Sequence, residues 1–172
     1  MTLLASQKIV DALNTQIGNE LGASNQYVAI ACYFSEENLD QLSDFFFRQA
    51  EEEREHAMKF VRFILDVGGH VEVPPIEGPK NEFSSAEEAV QASLDWEKEV
   101  TNQIYGLVEL AQTERNHITS RFLDWFVDEQ LEEVSLMDNL LGIVRRAGEG
   151  NLLYVEDYLS RHGVEGGGSV EE

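Results

Sequence analysis

Residues 42–67 have the sequence LSDFFFRQAEEEREHAMKFVRFILDV. The apolar residues recur at alternating spacings of four and three, which is typical of a helix that turns one face toward the core of a bundle. That face consists of Leu42, Phe46, Gln49, Glu53, His56, Phe60, Phe63 and Val67. Its centre holds a carboxylate and an imidazole one turn apart. A buried, ionised Glu53 is costly unless it is paired or bound to a metal ion, so we expect it to have such a partner in the core.

Length and composition favour one all-helical domain. The chain has 172 residues, and only three of them are proline. It carries 33 acidic residues against 12 lysines and arginines, for a formal net charge of −21. Such a charge repels nucleic-acid phosphates and anionic membranes and attracts cations. We therefore expect neither nucleic acid nor membrane among its partners.

Cysteine usage and the N-terminal sequence bear on the compartment. Cys32 is the single cysteine, so no disulfide can form within one chain. We expect it to pack as a small buried hydrophobe within the apolar run 28–34. The first residues lack the features of a signal peptide, and no apolar stretch is long enough to span a bilayer. These observations predict a cytoplasmic protein.

Four long helices and a short fifth are predicted. The first runs from about residue 6, with Ser6 as its N-cap, to about residue 34, and a short turn leads to the second, which ends near Gly68. Residues 70–84 contain Pro74 and Pro75 and have no helical period, which suits a crossover along the bundle. The third helix starts with a capping box, Ser84 with Glu87 or Ser85 with Glu88, and extends to about residue 113.

The fourth predicted helix follows the polar turn 114–117 and ends before Gly148. Asn151 is predicted to cap the short fifth helix. We expect residues 1–163 to form one domain and residues 164–172 to be a disordered, glycine-rich tail. The fold class is therefore all-α: a four-helix bundle with a long crossover between its second and third helices.

Each long helix carries acidic residues near the middle of its apolar face. They are Glu20 on the first helix, Glu53 with His56 on the second, Glu97 on the third and Glu133 with Gln130 on the fourth. Within each antiparallel pair, Glu20 and Glu53 or Glu97 and Glu133 flank the turn almost symmetrically. Four carboxylates and one imidazole should therefore meet at one level of the core, where they cannot all stay ionised without cations. Hard oxygen ligands with one nitrogen suit Fe(II), Mn(II) or, less selectively, Zn(II).

Five segments of the chain are distinctive: NEL at 19–21, QY at 26–27, EEREH at 52–56, WE at 96–97 and WFVDEQLEE at 125–133. In these segments the chain resembles the non-haem bacterial ferritins, which belong to the ferritin-like di-iron carboxylate proteins. The resemblance covers most of the chain, from Ser6 to about Gly163. It implies the four-helix bundle with a short fifth helix, assembled as a hollow shell of 24 subunits.

The resemblance also implies roles for individual residues. Glu20, Glu53 and His56 would hold a first iron, and Glu53, Glu97 and Glu133 a second, with Gln130 close by. A third, looser iron site near the inner surface would use Glu52, Glu129 and Glu132. Tyr27 matches a family tyrosine that can give up an electron. The implied reaction is oxidation of Fe(II) by O2 or H2O2, followed by storage of ferric mineral.

Departures from related haem proteins are informative. Glu53 is the glutamate that both irons would share. Haem-binding bacterioferritins have a methionine directly after the matching glutamate, where this chain has Arg54, so no haem is expected. They also carry a second Glu-x-x-His on the fourth helix. Here the matching positions are Gln130 and Glu133, which leaves Glu53 as the bridging carboxylate.

Two other functions remain open from the sequence. A di-iron oxidase or peroxide reductase without mineral storage would use the same core residues. A non-catalytic acidic scaffold would leave the core acids protonated or solvated. Metal addition distinguishes the scaffold, because an ion that binds only the native state raises its melting temperature.

Overall fold

The computed structural model describes residues 3–164, which form five α-helices. Their bounds are α1 Gln7–Glu36, α2 Asp40–Asp66, α3 Ala86–Thr113, α4 His117–Ala147 and α5 Leu152–His162. Helix α1 packs along α2, α3 packs along α4, and α1 also contacts α3, while α5 contacts α2 and α4. The predicted bundle with a long crossover and a short fifth helix is confirmed. The predicted tail lies, apart from Val164, outside the described residues.

The helix starts follow the local sequence signals. The Ser6 hydroxyl accepts a hydrogen bond from the Ile9 backbone N–H at 3.2 Å, as predicted for an N-cap. At the start of α3, the Ser85 hydroxyl accepts from the Glu88 N–H at 3.0 Å. The return bond of that capping box is displaced by one residue, because the Glu88 carboxylate accepts from the Ser84 N–H at 2.7 Å.

Two carboxylates near the C-terminal end of the chain cap helices from a distance. The Glu156 carboxylate accepts from the backbone N–H groups of Gln41 and Leu42, at 2.7 and 3.0 Å, in the first turn of α2. The Glu149 carboxylate accepts from the first two N–H groups of α3, both at 3.1 Å. Each supplies a negative charge and an acceptor where a helix has unsatisfied donors. The α5 segment is thereby attached to the N-termini of α2 and α3.

The crossover lies along α1 for most of its length. Near its start, Asn14 donates to the His70 carbonyl at 3.0 Å and accepts from the Glu72 N–H at 2.9 Å. Near its end, Gln26 makes both hydrogen bonds with the backbone of Lys80, at 2.8 and 2.9 Å. The crossover therefore advances in the same direction as α1. Helix α3 begins at the end of the bundle where α2 also begins, so α2 and α3 are parallel.

The apolar core is divided into two clusters. One includes Phe34, Phe46 and Leu140, toward the α5 end of the bundle. The other includes Leu13, Phe60 and Phe126 at the opposite end. Between them, the middle of the bundle is occupied by buried polar and charged side chains. This gap in the apolar core is the level at which the sequence predicts a metal site.

Two local predictions were wrong. Cys32 is exposed, because the helical phase that buries Tyr27, Ala31 and Phe34 turns Cys32 and Val28 outward. An apolar run in sequence is therefore wider than the buried face of the helix. Asn151 makes no capping bond to α5; its side-chain amide donates to the Ala147 carbonyl at 3.0 Å, and residues 149–151 form a 3₁₀ turn.

The close approach of the crossover to α1 gives a stability prediction. A Cβ added at Gly18 would clash with Cγ of Pro74. We expect Gly18→Ala to lower the free energy of unfolding by about 1–3 kcal/mol, because the proline ring cannot rotate away. Gly106→Ala is the matched control: it is also helical, its Cβ meets nothing within 4 Å, and it should be neutral or stabilising by up to about 1 kcal/mol. Thermal unfolding followed by circular dichroism compares the two; equal melting temperatures would contradict the prediction.

Candidate metal centre

The first group of ligand-type residues joins α1 to α2. One side-chain ligand atom from each of Glu20, Glu53 and His56 lies within 4.8 Å of the other two. All three side chains are buried, with Glu20 and Glu53 each 1% exposed. The Glu53 carboxylate and Nδ1 of His56 are 3.5 Å apart, as expected for residues at positions i and i+3 of one helix. The structure brings these three residues together, and their role as iron ligands stays a prediction.

The third and fourth helices contribute a hydrogen-bonded group at the same level. Glu97 is fully buried. One of its carboxylate oxygens accepts from the Tyr27 hydroxyl, and the other accepts from the Gln130 amide at 3.1 Å. The Gln130 amide also faces the Thr101 hydroxyl, at 3.3 Å. Gln130 therefore lies beside the carboxylate set as a hydrogen-bond donor, and its role as a direct metal ligand stays a prediction.

A second ligand group shares the histidine. His56, Glu129 and Glu133 also place one ligand atom each within 4.8 Å of one another. Nε2 of His56 lies 3.5 Å from the Glu129 carboxylate, whose side chain is only partly buried. The two ring nitrogens of His56 thus face two different carboxylates, one on α2 and one on α4. The second group therefore places Glu133 of α4 beside the same imidazole as Glu20 and Glu53.

The donor atoms fit a hard divalent cation. Oε2 of Glu20 and Oε2 of Glu133 are buried without a hydrogen-bond partner. Unpartnered buried carboxylate oxygens are unfavourable, and an ion bound there would satisfy them. The set consists of carboxylate oxygens with a single imidazole nitrogen, which Fe(II) and Mn(II) accept.

The electrostatics of the centre also favour cation binding. Burial raises the pKa of Glu97 to about 7, although the hydrogen bonds from Tyr27 and Gln130 oppose the shift. Burial and the charge of Glu97 raise the pKa of Glu133 to about 9. Burial, together with Glu97 and Glu20, also raises the pKa of Glu53 well above its ordinary value. Because the pKa values of these carboxyl groups are raised, metal binding displaces protons from them and depends on pH.

The neighbouring carboxylates also raise the pKa values of Tyr27 and His56. Burial and the neighbouring Glu97 raise the pKa of Tyr27 well above its ordinary value, so the phenol stays protonated. Burial would lower the pKa of His56, but contacts with Glu129, Glu20 and Glu133 outweigh it and raise the pKa.

The three residues predicted for a looser third site are less closely grouped. Glu52 is exposed on α2 and accepts a hydrogen bond from Gln49 at 2.5 Å. Glu129 lies beside His56, within the second ligand group. Glu132 is exposed on α4 and belongs to neither ligand group found among residues 3–164. A third site formed by these residues stays a prediction.

Apart from Gln130, sequence reasoning missed the amides that hydrogen-bond to the carboxylates. Gln16 donates to Glu20 at 2.9 Å from one turn earlier on α1. Gln49 lies on the core face of α2, as the sequence predicts, and its side-chain amide donates to Glu52. The spacing could have indicated the first of these contacts, because Gln16 precedes Glu20 by four residues and residues four apart lie side by side on a helix.

Comparison with known protein families identifies the fold family. The model described as Ferritin-like domain matches residues 10–147. The chain belongs to the ferritin-like family. This ferritin-like chain is 42% identical over 149 residues to ferritin BfrB of Mycolicibacterium smegmatis, covering 87% of the chain and 82% of that protein. It is 38% identical over 153 residues to the bacterial non-heme ferritin of Staphylococcus aureus, covering 88% and 92%.

A solved structure agrees with these relatives. The chain is similar to the open-pore ferritin from the hyperthermophilic archaeon Archaeoglobus fulgidus, with a TM-score of 0.89 and 35% sequence identity. The match covers 92% of this chain and 98% of that one. The resemblance to the non-haem bacterial ferritins predicted from the sequence is confirmed. Within the described part of this ferritin-like chain, none of the helices has the length and apolar character needed to cross a membrane.

The raised carboxylate pKa values give a pH prediction. Zn²⁺ is a redox-inert probe, and its affinity should rise between about pH 6 and pH 9, because Glu97 with a pKa of about 7 and Glu133 with a pKa of about 9 lose their protons over that range. At about pH 6.5, Zn²⁺ binding should release at least about one proton per chain. Calorimetric titration in buffers of different ionisation enthalpy measures this number. Glu133→Gln, which has no proton to lose there, should release fewer; a pH-independent affinity would contradict the prediction.

Proposed function

We propose that this protein stores iron by oxidising Fe(II) to Fe(III) within each subunit and holding the product as a ferric mineral inside a shell of 24 copies. The observation that carries the proposal is the buried meeting of Glu20, Glu53, His56, Glu97 and Glu133, with two carboxylate oxygens left unpartnered. The relatives named as ferritins support iron as the ion bound.

Iron is the substrate of this centre. Glu20, Glu53 and His56 hold a first Fe(II), and Glu53, Glu97 and Glu133 hold a second, so that Glu53 serves both. Two Fe(II) ions supply two electrons, which with two protons reduce one O2 to H2O2, or one H2O2 to two water molecules. Anionic oxygen ligands stabilise Fe(III) relative to Fe(II) and so favour this electron transfer.

Neighbouring residues assist the reaction. Tyr27 donates its hydrogen bond to Glu97 from a fully buried position. We assign it as a residue that can supply one electron beyond the two from the iron pair when O2 is reduced past H2O2 toward water, with its phenol proton passing to Glu97 along that hydrogen bond. Glu52, Glu129 and Glu132 then form the looser site through which Fe(III) moves toward the mineral. Glu52 and Glu132 are exposed, which suits a site that releases its ion.

Haem has no role in this proposal. The residue after Glu53 is Arg54, whose guanidinium is exposed on α2 and is not a haem iron ligand. The similar protein from Staphylococcus aureus is named a non-heme ferritin.

The decisive experiment is size-exclusion chromatography after addition of a large excess of Fe(II) in air, with protein and iron absorbance followed together. We expect iron far above two ions per chain to elute with a particle of 24 subunits. Rapid oxidation with about two irons per chain on a small species would overturn storage and support the di-iron oxidase or peroxide reductase. Precipitated iron with unaltered protein, and no metal-dependent rise in melting temperature, would support the non-catalytic scaffold.

The shared ligand predicts unequal losses on substitution. Groups outside the ligand set of a metal typically contribute about 10–100-fold to affinity or activity. We therefore expect Glu53→Ala, which removes a ligand from both irons, to slow the initial Fe(II) oxidation more than about 100-fold. Glu133→Ala, which removes a ligand from one iron only, should cause the smaller loss, of about 10–100-fold. Stopped-flow absorbance under O2 measures both rates.

Glu55→Ala is the matched control for this comparison. Glu55 lies on the same helix as Glu53, but it is exposed and pairs only loosely with Arg62 at 3.8 Å. It should oxidise iron at the wild-type rate. Equal losses in Glu53→Ala and Glu133→Ala would show that Glu53 does not serve both ions.

A further inference from the structure

Gln16 occupies an unusual position beside the metal centre. It lies on α1 one turn before Glu20, and its side chain is 2% exposed. A buried amide must have its donors and acceptor satisfied, or it destabilises the fold. The hydrogen bonds that Gln16 makes therefore show what this residue is placed to do.

All three polar groups of the Gln16 amide have partners. Its Nε2 donates to Oε1 of Glu20 at 2.9 Å and to Oε1 of Gln103 on α3 at 3.2 Å. Its Oε1 accepts from the side-chain amide of Asn19 at 3.1 Å. A carboxylate only accepts hydrogen bonds, so the nitrogen of Gln16 must face Glu20, and Asn19 stabilises that orientation.

This arrangement makes the two oxygens of Glu20 unequal. Oε1 is held by Gln16, whereas Oε2 is buried without a hydrogen-bond partner. One oxygen is thus anchored to the protein and the other is free to bind an ion. The carboxylate is held in one rotamer by a partner that is itself tied to α3.

We propose that Gln16 is a positioning residue for the first metal site, which holds Glu20 so that Oε2 alone is presented to the cation. Through Gln103 it also links the α1–α2 pair, which carries Glu20 and Glu53, to α3, which carries Glu97. Gln16 does not touch the metal; it acts through Glu20. The inference rests on the proposed function, since it assumes that Glu20 is a ligand.

The test is calorimetric titration of the assembled full chain with Zn²⁺ at neutral pH, which reports metal affinity without oxidation. Partners that orient metal ligands typically contribute about 10–100-fold to affinity, so Gln16→Leu should weaken the site that includes Glu20 by about that factor. Unchanged Zn²⁺ affinity in Gln16→Leu would overturn the proposal.

Gln26→Leu is the matched control. Gln26 is a second buried amide on α1, 7% exposed, and its hydrogen bonds go to the backbone of Lys80 in the crossover. Its loss should lower the melting temperature and leave the Zn²⁺ affinity at the wild-type value. Equal weakening of Zn²⁺ binding in both variants would mean that any buried amide on α1 has this effect, which also overturns the proposal.

A double-mutant cycle tests whether Gln16 acts through Glu20. Adding Gln16→Leu to Glu20→Gln should weaken Zn²⁺ binding no further than Glu20→Gln alone, because the ligand being positioned is gone. A full additive loss would overturn the proposal. If Glu20→Gln itself leaves Zn²⁺ affinity unchanged, the metal centre of the proposed function fails instead.

Asn19→Ala provides a second route if Gln16→Leu does not fold. Asn19 is half-buried, and its removal frees the Gln16 amide to rotate away from Glu20. Zn²⁺ affinity should fall, by less than in Gln16→Leu, with the melting temperature close to that of the wild type. If Gln16→Leu does not fold, wild-type affinity in Asn19→Ala overturns the proposal.

Discussion

The repulsion among carboxylates at the middle of the bundle is the constraint on which the rest of the structure depends. Glu53 and Glu97 lie where apolar side chains would pack in an ordinary helical bundle. Placing charges there costs several kcal/mol each unless protons or cations neutralise them. The apolar clusters above and below this level stabilise the helices that carry the acids. Without a cation, the raised pKa values of these carboxyl groups limit the charge at this level, and a bound cation takes the place of the protons.

Much of the fold was predictable, because it follows from periodicity. Alternating spacings of three and four determined which face of each helix is buried, and the acids interrupting that face marked the centre. The same reasoning failed for Cys32, since an apolar run does not by itself reveal its helical phase. It failed for Asn151 because a cap depends on the geometry of the preceding turn, which became a 3₁₀ helix.

The site was predictable in its charged members and much less so in its amides. Glu20, Glu53 and His56 stand out because charged groups on a core face are rare. Gln16 carries no charge, and its role emerges only from bonds to Glu20, Asn19 and the distant Gln103. The contact between Gln16 and Gln103 depends on how closely α1 and α3 pack. A single sequence does not give the distance between two helices, so this contact could not be predicted.

Residues 149–162 form only a short segment, but the carboxylates of Glu149 and Glu156 make it important for the stability of the bundle. They satisfy the first backbone donors of α3 and α2, the helices that carry Glu97 and Glu53. Shortening the chain before residue 149 would leave those donors unsatisfied and remove two negative charges from positive helix ends. In a truncated protein, the first turns of α2 and α3 would therefore unfold more readily. A second protein fused to this one should therefore follow α5 and should not replace it.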